Sequence, residues 1–251
     1  MFLEERQREI VALIEKHGRV RVADLAERFE VTEDCIRKDL KQLSAEGKCR
    51  KVYGGATRIE DAAIRSVGDR INLYQPEKQA IAHKAIELIK PQQTVYLDVS
   101  TTNLCLARLV AQSDLACTIV SPMIDIMVEL ARDPHITAIC PGGIMRADLN
   151  GFAGTLAVDA IARFRFDVAF IGAYSIDVES QEVATFEAED GLLKHAAIKR
   201  SGQSYLVCES RKFEAFGTYR FAELSDFDAL ICDDKDAESI TALRESGVDV
   251  L

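Results

Sequence analysis

A chain of 251 residues is long enough for one small domain and one of ordinary size with a full hydrophobic core. With 48% apolar and 29% charged residues, no apolar run near the roughly 18 needed to span a bilayer, and no basic-then-apolar leader, it reads as a soluble cytoplasmic protein. The net charge of −10 is uneven: residues 1–58 hold 13 Lys/Arg against 11 Asp/Glu, a net +2, which leaves −12 for the remainder.

Leu3, Ile10, Leu13 and Ile14 recur at helical intervals, and Gly18 stops that first helix after His17. Val22, Leu25, Ala26 and Phe29 line one face of a second, shorter helix. Glu30 and Val31 make a tight turn, and Thr32 is the expected N-cap of a third helix carrying Ile36, Leu40 and Leu43 inward, closed by Gly47. Arg37, Lys38 and Lys41 on that helix cannot face the core and stay available to phosphates or base edges. Lys48-Cys49-Arg50-Lys51-Val52-Tyr53-Gly54-Gly55 follows as a basic hairpin. This order predicts a winged helix-turn-helix over residues 1–57, with the third helix laid into a DNA groove. A small helical domain with a solvated charged face is the plainer alternative.

The stretch 58–75 reads as a linker, because Arg58, Glu60, Asp61, Arg65, Asp69 and Arg70 leave no continuous apolar face. Residues 76–251 then alternate helices with short apolar runs. Pro76 suits the start of a helix running to about Lys90, with Ala80, Ile81, Ala85, Leu88 and Ile89 as its buried stripe. Strands are expected at Thr94–Val99, Cys117–Val120, Ile136–Cys140, Asp167–Ile171, Tyr205–Cys208 and Ala229–Cys232, with helices from Thr102 to Gln112 and from Pro122. The fold class is therefore α/β: a mostly parallel sheet wrapped by helices, whose ligands bind beyond the carboxyl ends of the strands.

Three loops there are chemically suggestive. Asp98-Val99-Ser100-Thr101-Thr102-Asn103 ends a strand in hydroxyls as a helix begins, which is either an anion site or an ordinary N-cap. Pro141-Gly142-Gly143 lets the backbone approach a ligand or simply turn. Glu187, Asp190 and Lys194 form the third group; the last two are four apart on a helix, where a surface ion pair is the default reading. Brought together, they would suit a polyhydroxylated, phosphorylated molecule. The seven cysteines are scattered without a CxxC pair, and histidines 17, 83, 135 and 195 lie far apart, so reduced, mostly buried thiols are expected and no metal or other cofactor.

These motifs resemble a DeoR-family transcriptional regulator from end to end. Ile36-Arg37-Lys38-Asp39-Leu40 stands in place of the family's usual I-R-R-D-L, and Tyr53-Gly54-Gly55-Ala56 where it has H/Y-G-G-A. Asp98-Val99-Ser100-Thr101-Thr102 corresponds to D-x-G-T-T, Gly142-Gly143 to the G-G loop, Gly151-Phe152-Ala153-Gly154 to G-x-x-G, and Lys194 to the sensor's helix lysine. Glu209-Ser210-Arg211-Lys212-Phe213 stands where D-x-S-K-F is usual. Departures include Cys35 for threonine, Ser100 for glycine, Asp190 for glutamate, and Ser121-Pro122-Met123 for T-N-N or T-N-S.

The resemblance implies a sensor related to sugar-phosphate isomerases, and a repressor released from its operator by a phosphorylated sugar or related metabolite. The DNA-binding residues would be Thr32, Cys35, Arg37, Lys38, Lys41, Arg50, Lys51 and Tyr53. The effector-binding residues would be Asp98, Ser100, Thr101, Thr102, Gly142, Gly143, Glu187, Asp190, Lys194, Glu209 and Lys212. A homodimer or homotetramer is expected, since one small reading head gives little specificity. The alternative is an isomerase-type enzyme with an accessory DNA-binding domain, using Asp98 or Glu187 as base and Lys194 to stabilise an enediolate.

Overall fold

The computed structural model describes residues 2–52, 54–58, 66–213, 215 and 217–251. The amino-terminal unit contains α1 (Leu3–His17), β1 (Arg19–Arg21), α2 (Val22–Arg28), α3 (Glu33–Ala45), β2 (Arg50–Val52) and β3 (Gly55–Thr57). Ile10, Ile14, Leu25, Ile36, Leu40 and Leu43 form its core, as their spacing predicts. Leu3, expected in the same stripe, is 47% exposed; at the start of α1 the contacts to α3 are made instead by Arg6 and Gln7, which are buried against Asp39 and Gln42. Gly18 ends α1 in a left-handed conformation, and Thr32 caps α3 by accepting from the Cys35 N–H at 3.3 Å.

The short strand β1 was not legible in the sequence. It joins the hairpin in a three-stranded antiparallel sheet ordered β1-β3-β2. Gly55 is what lets the strands meet, since a Cβ there would lie 1.9 Å from the Val20 carbonyl oxygen. A buried ion pair, Arg6 Nε to Asp39 Oδ2 at 2.6 Å, locks α1 to α3.

In the larger unit, β4 (Thr94–Leu97), β5 (Cys117–Val120), β6 (Ile136–Ile139), β9 (Phe166–Gly172), β12 (Ser201–Val207) and β14 (Ala229–Ile231) form an all-parallel sheet ordered β14-β12-β9-β4-β5-β6. Alternation along the strands divides the core in two. Val95, Leu97, Val168 and Phe170 face α5 (Gln75–Ile86), α6 (Thr101–Ala111) and α7 (Ile124–Leu130). Tyr96, Ala169, Ile171 and Leu206 face α8 (Thr155–Ile161), α9 (Ala188–Lys199) and α10 (Ala237–Glu245). Chain order runs outward from β4 through β5 to β6, then returns to the other side through β9, β12 and β14. The switch point of the sheet therefore lies between β4 and β9, where a crevice opens.

Two smaller sheets escaped the sequence reading: the hairpin β7 (Ile144–Arg146) and β8 (Gly151–Ala153), and the antiparallel trio β10 (Ser175–Asp177), β11 (Glu182–Thr185) and β13 (Tyr219–Glu223). Their strands of three to five residues are too short to show a period. On α5, Ala80 faces solvent and Lys78 is buried in its place, with its Nζ donating to the Arg70 carbonyl at 2.6 Å.

The expected linker also divides. Residues 59–65 lie outside the described residues, whereas α4 (Val67–Arg70) packs onto the sheet domain: Val67 is fully buried in its core and donates to the Asp148 carbonyl at 2.9 Å. Val67 and Ile71, both packed on that core, are interspersed with Gly68, Asp69 and Arg70, too little apolar signal to separate α4 from a solvated tether.

Candidate functional site

On the reading head, Thr32, Arg37, Lys38, Lys41 and Lys51 are exposed, while Cys35 and Arg50 are half-buried. Tyr53 lies outside the described residues. Arg37 is held on its own helix by Glu33 Oε2 at 2.5 Å and Asp34 Oδ1 at 2.8 Å. Lys38 and Lys41 form no ion pair with any described residue, so their charge is presented outright. Cys35 Sγ instead lies 3.2 Å from Arg6 Nη2, turned toward α1.

At the sheet's switch point, loops after β4, β9 and β12 converge with α4 on a cavity of about 380 Å³. Of the candidate effector-binding residues, Ser100, Glu187, Asp190, Lys194 and Lys212 line it, together with Arg70, Gly172, Tyr174 and Phe186, which sequence reasoning missed. Asp98 sits directly behind. One of its carboxylate oxygens accepts from the Gly172 N–H at 2.9 Å and pairs with the Lys194 ammonium; Asn103 Nδ2 binds the other. Asp190 Oδ1 lies 3.4 Å from the same ammonium, and Asp190 Oδ2 accepts from Thr185 Oγ1 at 2.8 Å.

The pair expected on the surface is therefore a buried triad of two carboxylates and one ammonium. Burial works against the Lys194 charge, but Asp190 and Asp98 outweigh it and hold its pKa above the ordinary lysine value. Burial pushes the Asp98 carboxyl up, against the pull of Lys194. With its oxygens satisfied and no surface in the cavity, Asp98 is poorly placed to act as a base.

Thr101 and Thr102 are buried in the first turn of α6 rather than lining the cavity, and Thr102 Oγ1 lies 3.5 Å from Glu209 Oε2. Glu209 is buried behind Lys212, whose Nζ binds Glu209 Oε2 at 2.9 Å and the Ala173 carbonyl at 2.8 Å. Burial opposes the Glu209 charge, yet Lys212 and Arg211 keep its carboxyl far below the usual range. Gly142 and Gly143 lie apart from the cavity, between β6 and β7. A Cβ on Gly143 would come within 2.8 Å of the Ala153 carbonyl and of Ala157 Cβ, so close packing accounts for that glycine. Arg146 acts as a strut, reaching Asp148, Glu187 and Glu189 at 3.0, 3.7 and 2.8 Å.

Both units match known families. Residues 6–62 match the DeoR-like helix-turn-helix domain, and residues 74–234 the DeoR C terminal sensor domain. The chain belongs to the DeoR family. Among curated relatives of this DeoR-family regulator, the uncharacterized HTH-type transcriptional regulator YulB of Bacillus subtilis (strain 168) is 31% identical over 252 residues, covering 100% of this chain and 96% of that one. The lactose phosphotransferase system repressor of Streptococcus mutans is 28% identical, with 96% of each chain covered. The glycerol-3-phosphate regulon repressor of Haemophilus influenzae is 26% identical, covering 96% and 93%.

The solved structure of ribose 5-phosphate isomerase A from Methanocaldococcus jannaschii matches at 13% identity and a TM-score of 0.40, covering 54% and 52% of the chains, too loosely to bear on activity. The DeoR-family protein is a DNA-binding transcriptional regulator with a sensor domain, not an enzyme.

Among the described residues no helix is long and apolar enough to cross a membrane, and no cluster of side chains is arranged to hold a metal ion. The seven cysteines are free; five are buried, Cys35 is half-buried and Cys140 exposed. Arg70 was the one cavity cation hidden from sequence reasoning, because it sits in what reads as a polar tether. Its only signal was that Pro76 and a helical stripe follow it closely.

Proposed function

We propose that this regulator is a cytoplasmic repressor of carbohydrate-metabolism genes, released from operator DNA when a phosphorylated sugar or related metabolite fills the cavity at the β4/β9 switch point. The observation that carries the reading is the contact between the two units. Asp177, on the strand leaving the cavity, binds Arg19 and Arg21 of the wing sheet, the former at 2.7 Å. Ala173 and Tyr174 line the cavity and lead directly into β10, so a ligand that displaces them bears on the wing. The names of the lactose and glycerol-3-phosphate repressors motivate the choice of a phosphorylated ligand.

DNA contact is assigned to Thr32, Arg37, Lys38 and Lys41 on α3 and to Arg50, Lys51 and Tyr53 of the wing, with phosphate contacts dominating affinity. The ligand favours an arrangement of subunits whose paired recognition helices no longer match successive half-sites. A homo-oligomer supplies those pairs. Ile144, Met145 and Leu156 are 55%, 49% and 65% exposed on β7 and α8, and supply its contact surface in this proposal.

The test is fluorescence anisotropy with DNA from upstream of the protein's own gene, repeated with a panel of phosphorylated sugars and polyols. Salt-sensitive binding weakened by one of them is the expected result. Binding that no phosphorylated compound alters would overturn the effector assignment.

A further inference from the structure

Three cations line the sensor cavity, and only two of them are paired. Lys194 lies between Asp98 and Asp190, and Lys212 sits on Glu209 and the Ala173 carbonyl. Arg70 donates its Nε to the Ser66 carbonyl at 3.3 Å and forms no ion pair with any described residue. Its terminal nitrogens are left to whatever occupies the cavity.

The position of Arg70 is well built. Val67, three residues before it, is anchored in the sheet-domain core, and the buried Lys78 ammonium holds the Arg70 carbonyl. Burial pulls its pKa below the ordinary arginine value, with the charges of Asp190 and Glu209 opposing that shift from a distance. A partly buried guanidinium without a carboxylate is costly to keep unless a ligand supplies the missing anion.

The other anion seat in this crevice is already filled from within. Ser100 Oγ accepts from the N–H groups of Thr102 at 3.2 Å and Asn103 at 3.4 Å, two of the free donors at the start of α6. The same side chain packs on Gly172, where a Cβ would come within 2.7 Å of Ser100 Cβ. An oxyanion entering the cavity therefore meets a hydroxyl where those amides would otherwise point.

Resting on the reading of this cavity as the effector site, we propose that Arg70 grips an oxyanion of the effector, while Ser100 keeps that group off the α6 amino terminus. A guanidinium fork offers two parallel N–H donors, which match a phosphate or a carboxylate alike.

Inorganic phosphate and acetate serve as minimal probes of the two sources. Each is titrated at constant ionic strength into the full-length protein, and binding is read by calorimetry and by the shift in melting temperature. The expected result is binding of one probe, weakened about ten- to a hundredfold in Arg70→Ala, less in Arg70→Lys, and strengthened roughly threefold or more in Ser100→Gly. Which probe binds identifies the source.

No binding of either probe to the wild type, or equal binding in both Arg70 variants and the wild type, overturns the proposal. If Arg70→Ala does not fold, the Arg70→Lys and Ser100→Gly titrations decide. A neutral polyol that shifts the wild type and Arg70→Lys alike, but not Asp190→Asn, sinks this inference and leaves the cavity reading standing. A metabolite that binds the wild type and Asp190→Asn equally sinks the cavity reading itself.

Discussion

Arg19 Nη2 lies 2.7 Å from Asp177 Oδ2, and this ion pair ties the wing sheet of the reading head to the strand that leaves the sensor cavity. Arg21 shares the same carboxylate, and Asp177 Oδ1 accepts from the N–H groups of Glu179 and Ser180 at 3.1 Å, which fixes the carboxylate in place. Burial opposes the Asp177 charge, but the Ser180 amide and the two arginines hold its pKa below the ordinary value. Asp177→Ala is expected to cost about 1 kcal/mol or less of global stability, as for other partly exposed pairs. Its effect on coupling should be larger: operator affinity persists while the effector-driven loss of that affinity shrinks. Anisotropy titrations with and without effector measure this, and an undiminished response in Asp177→Ala would rule the clasp out as the link.

Arg37, proposed above to contact DNA, is engaged on its own helix by Glu33 and Asp34. Pairs of this exposed type on one helix are worth about 0.3–0.5 kcal/mol, far less than a bidentate contact to guanine at about 1–3 kcal/mol. Arg37→Ala should therefore weaken operator binding by roughly tenfold or more, and Glu33→Gln should strengthen it slightly. Lys38→Ala, which removes an unpaired exposed cation, should lower the slope of log affinity against log salt by about one and affect all sequences alike. Equal operator affinity in Arg37→Ala would refute the base-reading role.

Among the described residues Lys194 is the sole cation paired with the two buried carboxylates Asp98 and Asp190. Removing it leaves negative charge buried without compensation, which costs about 3–5 kcal/mol. Lys194→Ala should thus lower the denaturant midpoint of the sensor unit markedly, besides abolishing the response to effector. Unfolding followed by circular dichroism tests this; a cost well under about 1 kcal/mol would mean that the triad is solvated and not buried.

Glu209 makes the protein sensitive to acid. Its carboxyl pKa in the folded chain lies far below the ordinary glutamate value, set by Lys212 and Arg211 against the cost of burial. A group depressed in this way stabilises the fold above its unfolded pKa of about 4.3, and that contribution is lost as pH falls through the native value. Glu209→Gln should be less stable than the wild type at neutral pH and lose less stability below about pH 4. Unfolding curves collected across the acid range give the comparison, and parallel acid limbs for the two proteins would contradict the assignment.

Much of the architecture was legible from neighbours along the chain. Thr32 before Ile36, Leu40 and Leu43 announced α3 and its cap, because capping and helical period involve residues only a few positions apart. The runs at β4, β5, β9, β12 and β14 announced a parallel sheet, because strands buried on both faces must be apolar throughout. On α5 the same logic failed in detail. Ala80 fitted the stripe but faces water, and Lys78 is buried because the Arg70 carbonyl is there to receive its ammonium. The trio β10-β11-β13 stayed invisible, since its pairing joins segments distant in sequence through strands of three to five residues.

By itself, then, the sequence determined a capped helical head with outward cations and an alternating α/β body behind it, both products of local spacing and burial. Tertiary structure alone decided which charges are satisfied. Asp190 and Lys194 could be seen to share a helix face, but only the approach of Asp98 from β4 makes them a buried triad. Arg70 becomes a cavity residue only because Val67 and Lys78 draw its short helix onto the sheet, bringing it beside Ser100, Gly172 and Lys212 at the switch point. Distances between residues so far apart along the chain are set by how layers pack, and no local pattern of side chains encodes them.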